Sequence, residues 1–283
     1  MLGVLLASLA VLFFALADTL TKHLTEAFPV PLVMAGRYSA SLLLLMVLVW
    51  PRTGARLWRT DRTGLVLLRG AVLGVASLTL GLALRVMPVG ETIAIIYLSP
   101  FAVIALAVPL LGERVSPLGW FLAVLGFCGV LLVLRPGGGL DPVGVIWALL
   151  NAACATAYHL MTRLLTRTET TLALLFHVTL VGAVMFALLA IPSLSGPLPG
   201  PAEAGMMFGL GALATLGHFL FAAAYREAPA ALVAPINYMH LVWAALLGLL
   251  VFGHVPGALT LAGMALIVAS GVALALHARR GGA

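Results

Sequence analysis

Apolar runs of about 20 residues follow one another along this chain with little between them, and a helix of that length crosses the hydrocarbon core of a bilayer. In that solvent a backbone N–H or C=O finds no water. The α-helix satisfies both within one segment, so successive runs of this kind have one fold open to them. The chain is 63% hydrophobic and 8% charged, against about 25% charged in a soluble domain, which leaves no room for a soluble domain. The net charge of +6 is read as basic loops on one face of a membrane, not as a nucleic-acid surface. The expectation is an all-α, multi-pass membrane protein whose partner is the lipid bilayer.

Ten spans are expected, at about 2–22, 30–50, 64–86, 90–111, 117–134, 142–163, 170–192, 203–226, 229–252 and 257–277. Prolines, glycines and charges punctuate them, among them Pro29, Pro51, Pro88, Pro117, Pro142 and Pro229. The first run ends in Asp18 and Lys22, not in a small-residue cleavage site, so it is read as a span. With the N-terminus cytoplasmic, Arg52, Arg56, Arg59, Arg62, Arg114, Arg163, Arg167, Arg226, Arg279 and Arg280 fall inside. Lys22, Arg85 and Arg135 fall outside. That excess places both termini in the cytoplasm. Cys128 and Cys154 lie inside apolar runs, which predicts neither a disulfide nor a metal site.

The chain repeats itself at an offset of 141 positions. Gly3 answers Gly144, Lys22 answers Arg163, Gly70 answers Gly211, Pro88 answers Pro229 and Tyr97 answers Tyr238. One offset across five pairs of spans signals an internal duplication. Residues 1–141 form a first five-helix repeat and 142–283 a second. Five is odd, so the halves must be inverted in the membrane, as in many transporters. The loops respond accordingly: the one after span 2 carries four arginines, and its mate after span 7, SLSGPLPGP, carries no charge.

Arg69-Gly70 in span 3, Gly112-Glu113-Arg114 after span 4 and the glycines of span 5 (Gly119, Gly126, Gly129), set in a five-plus-five duplication, resemble the EamA-type drug/metabolite transporter superfamily. The bacterial amino-acid and metabolite exporters, the aromatic amino-acid exporter included, are the most similar branch. The resemblance implies a multi-pass protein of the bacterial inner (plasma) membrane that exports small metabolites, amino acids first, with aromatic or apolar side chains favoured. It also implies a substrate path among spans 3, 4, 8 and 9, with help from spans 1 and 6. The second half departs from the Gly-Glu pattern, with Gly253 followed by His254. The middle of span 1, ASLAVLFFA, has no acid, so the proton coupling of the small four-helix relatives is not carried over.

Near the midplane of spans 3, 4, 8 and 9 stand Ser77, Tyr97, Ser99, His218, Asn237, Tyr238, His240 and Trp243. These are the candidate substrate-binding residues. Pro100 and Pro235 withdraw an N–H from the carbonyls of Ile96 and Ala231, so a helix break is expected at each, beside the polar clusters. The alternative for each proline is a kink absorbed by packing. Asp18, Arg37 and Glu91 are candidate outer gate residues, with an Asp18–Arg37 ion pair the simpler reading of the first two. Arg69 is expected to snorkel to the surface. Gly70/Gly74 and Gly205/Gly209 are spaced for close helix approach. Spans 5 and 10 are packing helices and the candidate seam of a homodimer.

The reading is a secondary transporter working by alternating access, without cofactor, metal or catalytic residues. Uptake or exchange of another metabolite or drug stays open beside export. A channel or an intramembrane hydrolase using Ser99 and His240 is a remote alternative. The sequence carries no charge ring, no Gly-x-Ser-x-Gly turn and no His-Glu-x-x-His pattern.

Overall fold

The computed structural model describes residues 2–111, 115–134, 139–228 and 233–279. Gly112-Glu113-Arg114, Arg135, Pro229, Ala231 and Arg280 lie outside the described residues. Eleven main helices are named: α1 (Leu2–Ala27), α2 (Val30–Leu48), α3 (Thr63–Val86), α4 (Val89–Ile96), α5 (Leu98–Leu111), α6 (Pro117–Leu134), α7 (Pro142–Leu165), α8 (Thr171–Ala190), α9 (Pro201–Glu227), α10 (Met239–Phe252) and α11 (Ala258–Arg279). A single helical turn, Trp50–Thr53, follows α2, and a 3₁₀ segment, Ala234–Tyr238, precedes α10. Among the described residues nine segments are long and apolar enough to cross a membrane. The ninth expected span, 229–252, is described only as a shorter apolar stretch, Ile236–Phe252.

Helix starts follow local chemistry. Asp141 caps α7 by accepting the Gly144 N–H at 2.8 Å, and Pro142 opens the helix. Thr170 caps α8 through the Ala173 N–H. Glu169, from the loop before α8, accepts the backbone N–H groups of Asp61 and Arg62 at 2.7–3.1 Å. It thereby ties two loops together at the entry to α3.

The packing repeats itself. α1 lies on α9 as α7 lies on α3; α9 lies on α2 as α3 lies on α8; α1 meets α10 as α7 meets α4 and α5. Three further contacts join repeat mates directly: α2 with α8, α6 with α11 and α4 with α10. Individual contacts obey the same shift. A Cβ at Gly3 would meet Ala228, and one at Gly144 would meet Met87, each at 2.5 Å. A Cβ at Gly70 would meet Val181 and one at Gly211 would meet Ala40. In both comparisons the two partners are related by 141 positions.

Mates run antiparallel. Ser116, just before α6, bonds His277 near the end of α11 at 2.6 Å. The end of α2 and the start of α8 line one cavity together, while Tyr38 stacks on Phe186 farther along. Where α6 crosses α11 the backbones touch: a Cβ at Gly129 would lie 2.8 Å from the Gly263 carbonyl. Gly70 and Gly74 also sit at a close crossing, against Val181 and Met185 of α8. Gly205 and Gly209 do not, having nothing within 4 Å of a Cβ. Their spacing suited an interface, but that face of α9 is not turned toward a neighbouring helix.

These contacts predict opposite outcomes for glycine replacements. Gly129→Leu should destabilise the protein by about 1–3 kcal/mol, because backbone on the facing helix cannot yield. Gly205→Ala should leave stability equal or slightly raised. Thermal melting of the detergent-purified variants checks both.

Candidate functional site: a chamber and its sealed end

The fourth expected span is broken where the sequence placed its break. α4 stops at Ile96, Tyr97 turns the chain, and α5 starts at Leu98. Pro100 is then the third residue of a new helix, where its missing N–H costs no intrahelical bond. In the second half the 3₁₀ segment Ala234–Tyr238 contains Pro235, and α10 begins after it. The two breaks meet. Tyr97 donates its hydroxyl proton to the Asn237 carbonyl at 2.5 Å. The Tyr97 and Tyr238 rings pack at 5.3 Å between centroids.

Close by, His240 Nε2 lies 3.0 Å from Asp18 Oδ2 of α1. The expected Asp18–Arg37 ion pair does not form. α10 packs against α1 and brings an imidazole to the carboxylate first. Arg37 instead has a Met34 sulfur at 3.8 Å and lies over the Tyr38 ring at 5.2 Å. Phe14 stands between the two midplane histidines, 5.1 Å from the His218 ring and 6.4 Å from that of His240.

One end of the bundle is closed by polar contacts. Lys22 donates to the Leu84 and Met87 carbonyls at the end of α3, at 2.8 and 3.0 Å, where a cation also suits the helix dipole. Glu91, buried at the start of α4, accepts from His254 at 2.8 Å. Its second oxygen finds no partner among the described residues.

From the other end a chamber of about 650 Å³ enters the bundle. Arg52, Thr53, Thr166 and Thr171 stand at its mouth, with Arg69, Tyr158, Thr162 and His218 deeper. It adjoins a recess of about 20 Å³ lined by Arg37, Tyr38, Ser41, Thr179, Thr215 and His218. Leu73, Leu175, Val178 and His218 belong to both walls. Arg69 does not snorkel. It is 5% exposed and donates to Thr162 Oγ1 (2.7 Å), the Leu174 carbonyl (3.2 Å) and the Tyr158 hydroxyl (2.6 Å), joining α3, α7 and α8.

Of the eight expected binding residues, His218 alone lines the chamber. Ser77 is buried and bonded to the Tyr38 hydroxyl at 2.6 Å. Ser99 is 2% exposed and accepts from Thr156 at 3.2 Å. Since Ser99 pairs with Thr156 and His240 with Asp18, the nucleophile–base pair of the hydrolase alternative does not assemble. Tyr97, Asn237, Tyr238 and His240 form the sealed cluster behind the chamber, and Trp243 is half-buried farther along α10. Arg52, Tyr158, Thr162, Thr179 and Thr215 were not expected as lining residues. Asn151, Tyr158 and Thr162, which share one face of α7 at helical spacing, are the signal that pointed to some of them.

A bundle of apolar helices around a largely apolar chamber with Arg69, Tyr158, Thr162 and His218 set in its wall, open at one end and closed by polar contacts at the other, defines a multi-pass membrane protein of the transporter class. A model of the EamA-like transporter family matches residues 1–135 and again residues 142–276, and the chain belongs to that family. Similar proteins include the pseudopaline exporter CntI of Pseudomonas aeruginosa, 29% identical over 96% of this chain and 95% of the relative. A riboflavin transporter of Rhizobium johnstonii is 31% identical over 95% and 89%. An S-adenosylmethionine uptake transporter of Rickettsia bellii is 26% identical over 89% and 85%. A solved crystal structure, 22% identical and covering 99% of both chains, superposes with a TM-score of 0.70, a likeness of fold.

The three bonds of Arg69 yield a prediction. Arg69→Met should lower stability by about 3 kcal/mol, since it strips a charged donor from buried acceptors. Arg69→Lys should recover only part of that, because an ammonium lacks the planar fork. Melting temperatures of the purified variants measure the difference.

Proposed function

We propose that this protein is a secondary transporter of the bacterial inner membrane that moves small metabolites by alternating access between two inverted five-helix repeats, residues 1–141 and 142–283. The observation that carries the proposal is the chamber: open among arginines at one end, and sealed at the other by Asp18–His240, Glu91–His254 and Lys22 on the α3 carbonyls. The antiparallel packing of α2 with α8 and α6 with α11 supports the inversion, because an axis in the membrane plane reverses each mate. With both termini in the cytoplasm, the arginine-rich mouth faces inward and the sealed cluster is the outer gate. Rocking one half against the other opens that cluster and closes the mouth.

In this reading His218 is the contact with substrate, and Tyr97, Asn237, Tyr238 and His240 are what the substrate must part to leave. Ser77, Ser99 and Trp243 support them. The substrate is a small zwitterionic or amphipathic metabolite, amino acids first, moved outward. The exporter among the relatives supports that direction. The riboflavin and S-adenosylmethionine relatives favour a second reading, uptake or exchange of another metabolite.

Counterflow in proteoliposomes tests the function. Preloading with a substrate should accelerate entry of the labelled compound and saturate. An amino-acid, nucleoside and flavin panel in both directions separates the two readings. His240→Ala and Asp18→Ala should each cut the counterflow rate by about tenfold or more with expression unchanged, since each leaves a polar partner unpaired in the seal. Full activity in both variants overturns the gate, and flux without saturation overturns the carrier mechanism.

A further inference from the structure

Every arginine around the chamber has a described protein partner or reaches the mouth, except in one respect. Arg37 sits about 10 Å along α2 from its start, inside the bundle, and no carboxylate among the described residues lies within ion-pair distance of it. Ion pairs among those residues include Lys22–Glu26, Asp18–His240 and Glu91–His254. Among the described residues the Arg37 guanidinium has a thioether sulfur and a tyrosine ring beside it, so most of its five N–H donors are unspent. A charged group within a span is retained where it faces a cavity and has a partner to meet.

The charged residues of the chamber and recess carry one sign: Arg37, Arg52 and Arg69 line them, and no aspartate or glutamate does. Arg69 has three donors committed to protein acceptors, and Arg52 lies at the mouth, bonded to the Leu48 carbonyl. The uncommitted charge is therefore at the innermost point. Size decides what enters there. The recess at Arg37 holds about 20 Å³, a little more than one water needs, whereas the chamber beside it holds about 650 Å³. One oxygen of a charged head takes the place of a water in the recess, with the rest of the molecule in the chamber. The hydroxyl protons of Ser41, Thr179 and Thr215 already go to backbone carbonyls.

We propose that Arg37 anchors a carboxylate of the transported molecule, which makes this transporter selective for carboxylate-bearing metabolites, α-amino acids among them. The inference rests on the transport function proposed above. A planar guanidinium facing a carboxylate makes paired charge-assisted hydrogen bonds, which a carboxamide of the same shape cannot reproduce.

The test measures binding and flux separately. Detergent-purified protein is titrated, by thermal shift at millimolar concentration, with free amino acids and simple mono- and dicarboxylates, each beside its carboxamide. Carboxylates should raise the melting temperature and their amides should not. Arg37→Gln should weaken carboxylate binding roughly tenfold or more and erase the acid-over-amide preference. Arg37→Lys, the second variant should the first not fold, should keep a reduced preference. Equal response to acid and amide, no stabilisation by any carboxylate, or an unchanged preference in Arg37→Gln overturns the anchor. Counterflow with the same compounds keeps the two inferences apart. Carboxylate-selective binding without flux overturns the transport function and leaves the anchor, while flux indifferent to the carboxylate overturns the anchor alone.

Discussion

The Tyr97 hydroxyl bonded to the Asn237 carbonyl joins the two places where a span gives up its helix. In a bilayer an unsatisfied backbone group costs several kcal/mol, so a broken span needs partners at the break. Here the breaks supply part of that need to each other. Each lies in the same position of its half, and they meet face to face, with the Tyr97 and Tyr238 rings packed between them. α4, α5 and α10 can be discontinuous because their discontinuities are buried together. The surrounding core, including Ile93, Phe101, Leu241 and Ile267, keeps lipid and water from that point.

The polar inventory divides by end. Toward the sealed end, imidazoles meet carboxylates and an ammonium meets helix carbonyls, so these groups find hydrogen-bond partners within the protein. Around the chamber, cations stand without anions. A carrier needs this division: contacts that close one side must be satisfied without substrate, whereas the site must hold something in reserve for it. Phe14 packs against both His218 and His240, and so lies between the two regions.

Much of the fold was legible in the sequence. Apolar length and the proline and glycine punctuation located the helices to within a few residues, and the shift of 141 positions foretold which contacts would recur, as Gly3 with Ala228 and Gly144 with Met87 illustrate. The broken spans were legible because a proline's missing N–H is a local fact. The partners of the ionisable groups were not. Asp18 and Arg37 looked paired because their spans adjoin in sequence, yet Asp18 meets His240, 222 positions away. Arg69 looked like a surface residue from its place near a span end, yet it is buried beneath α7 and α8.

Local chemistry by itself therefore determined a multi-pass helical protein and its two broken spans, because backbone satisfaction in lipid is settled within each segment. Tertiary structure alone decided which side chains face the chamber. His218 reaches it, while Ser77 and Ser99 turn to Tyr38 and Thr156. The reason is rotational: a helix in a membrane is apolar nearly all round, so its sequence carries little record of which face meets a neighbour, and only the packing of α2, α3, α7, α8 and α9 against one another sets it.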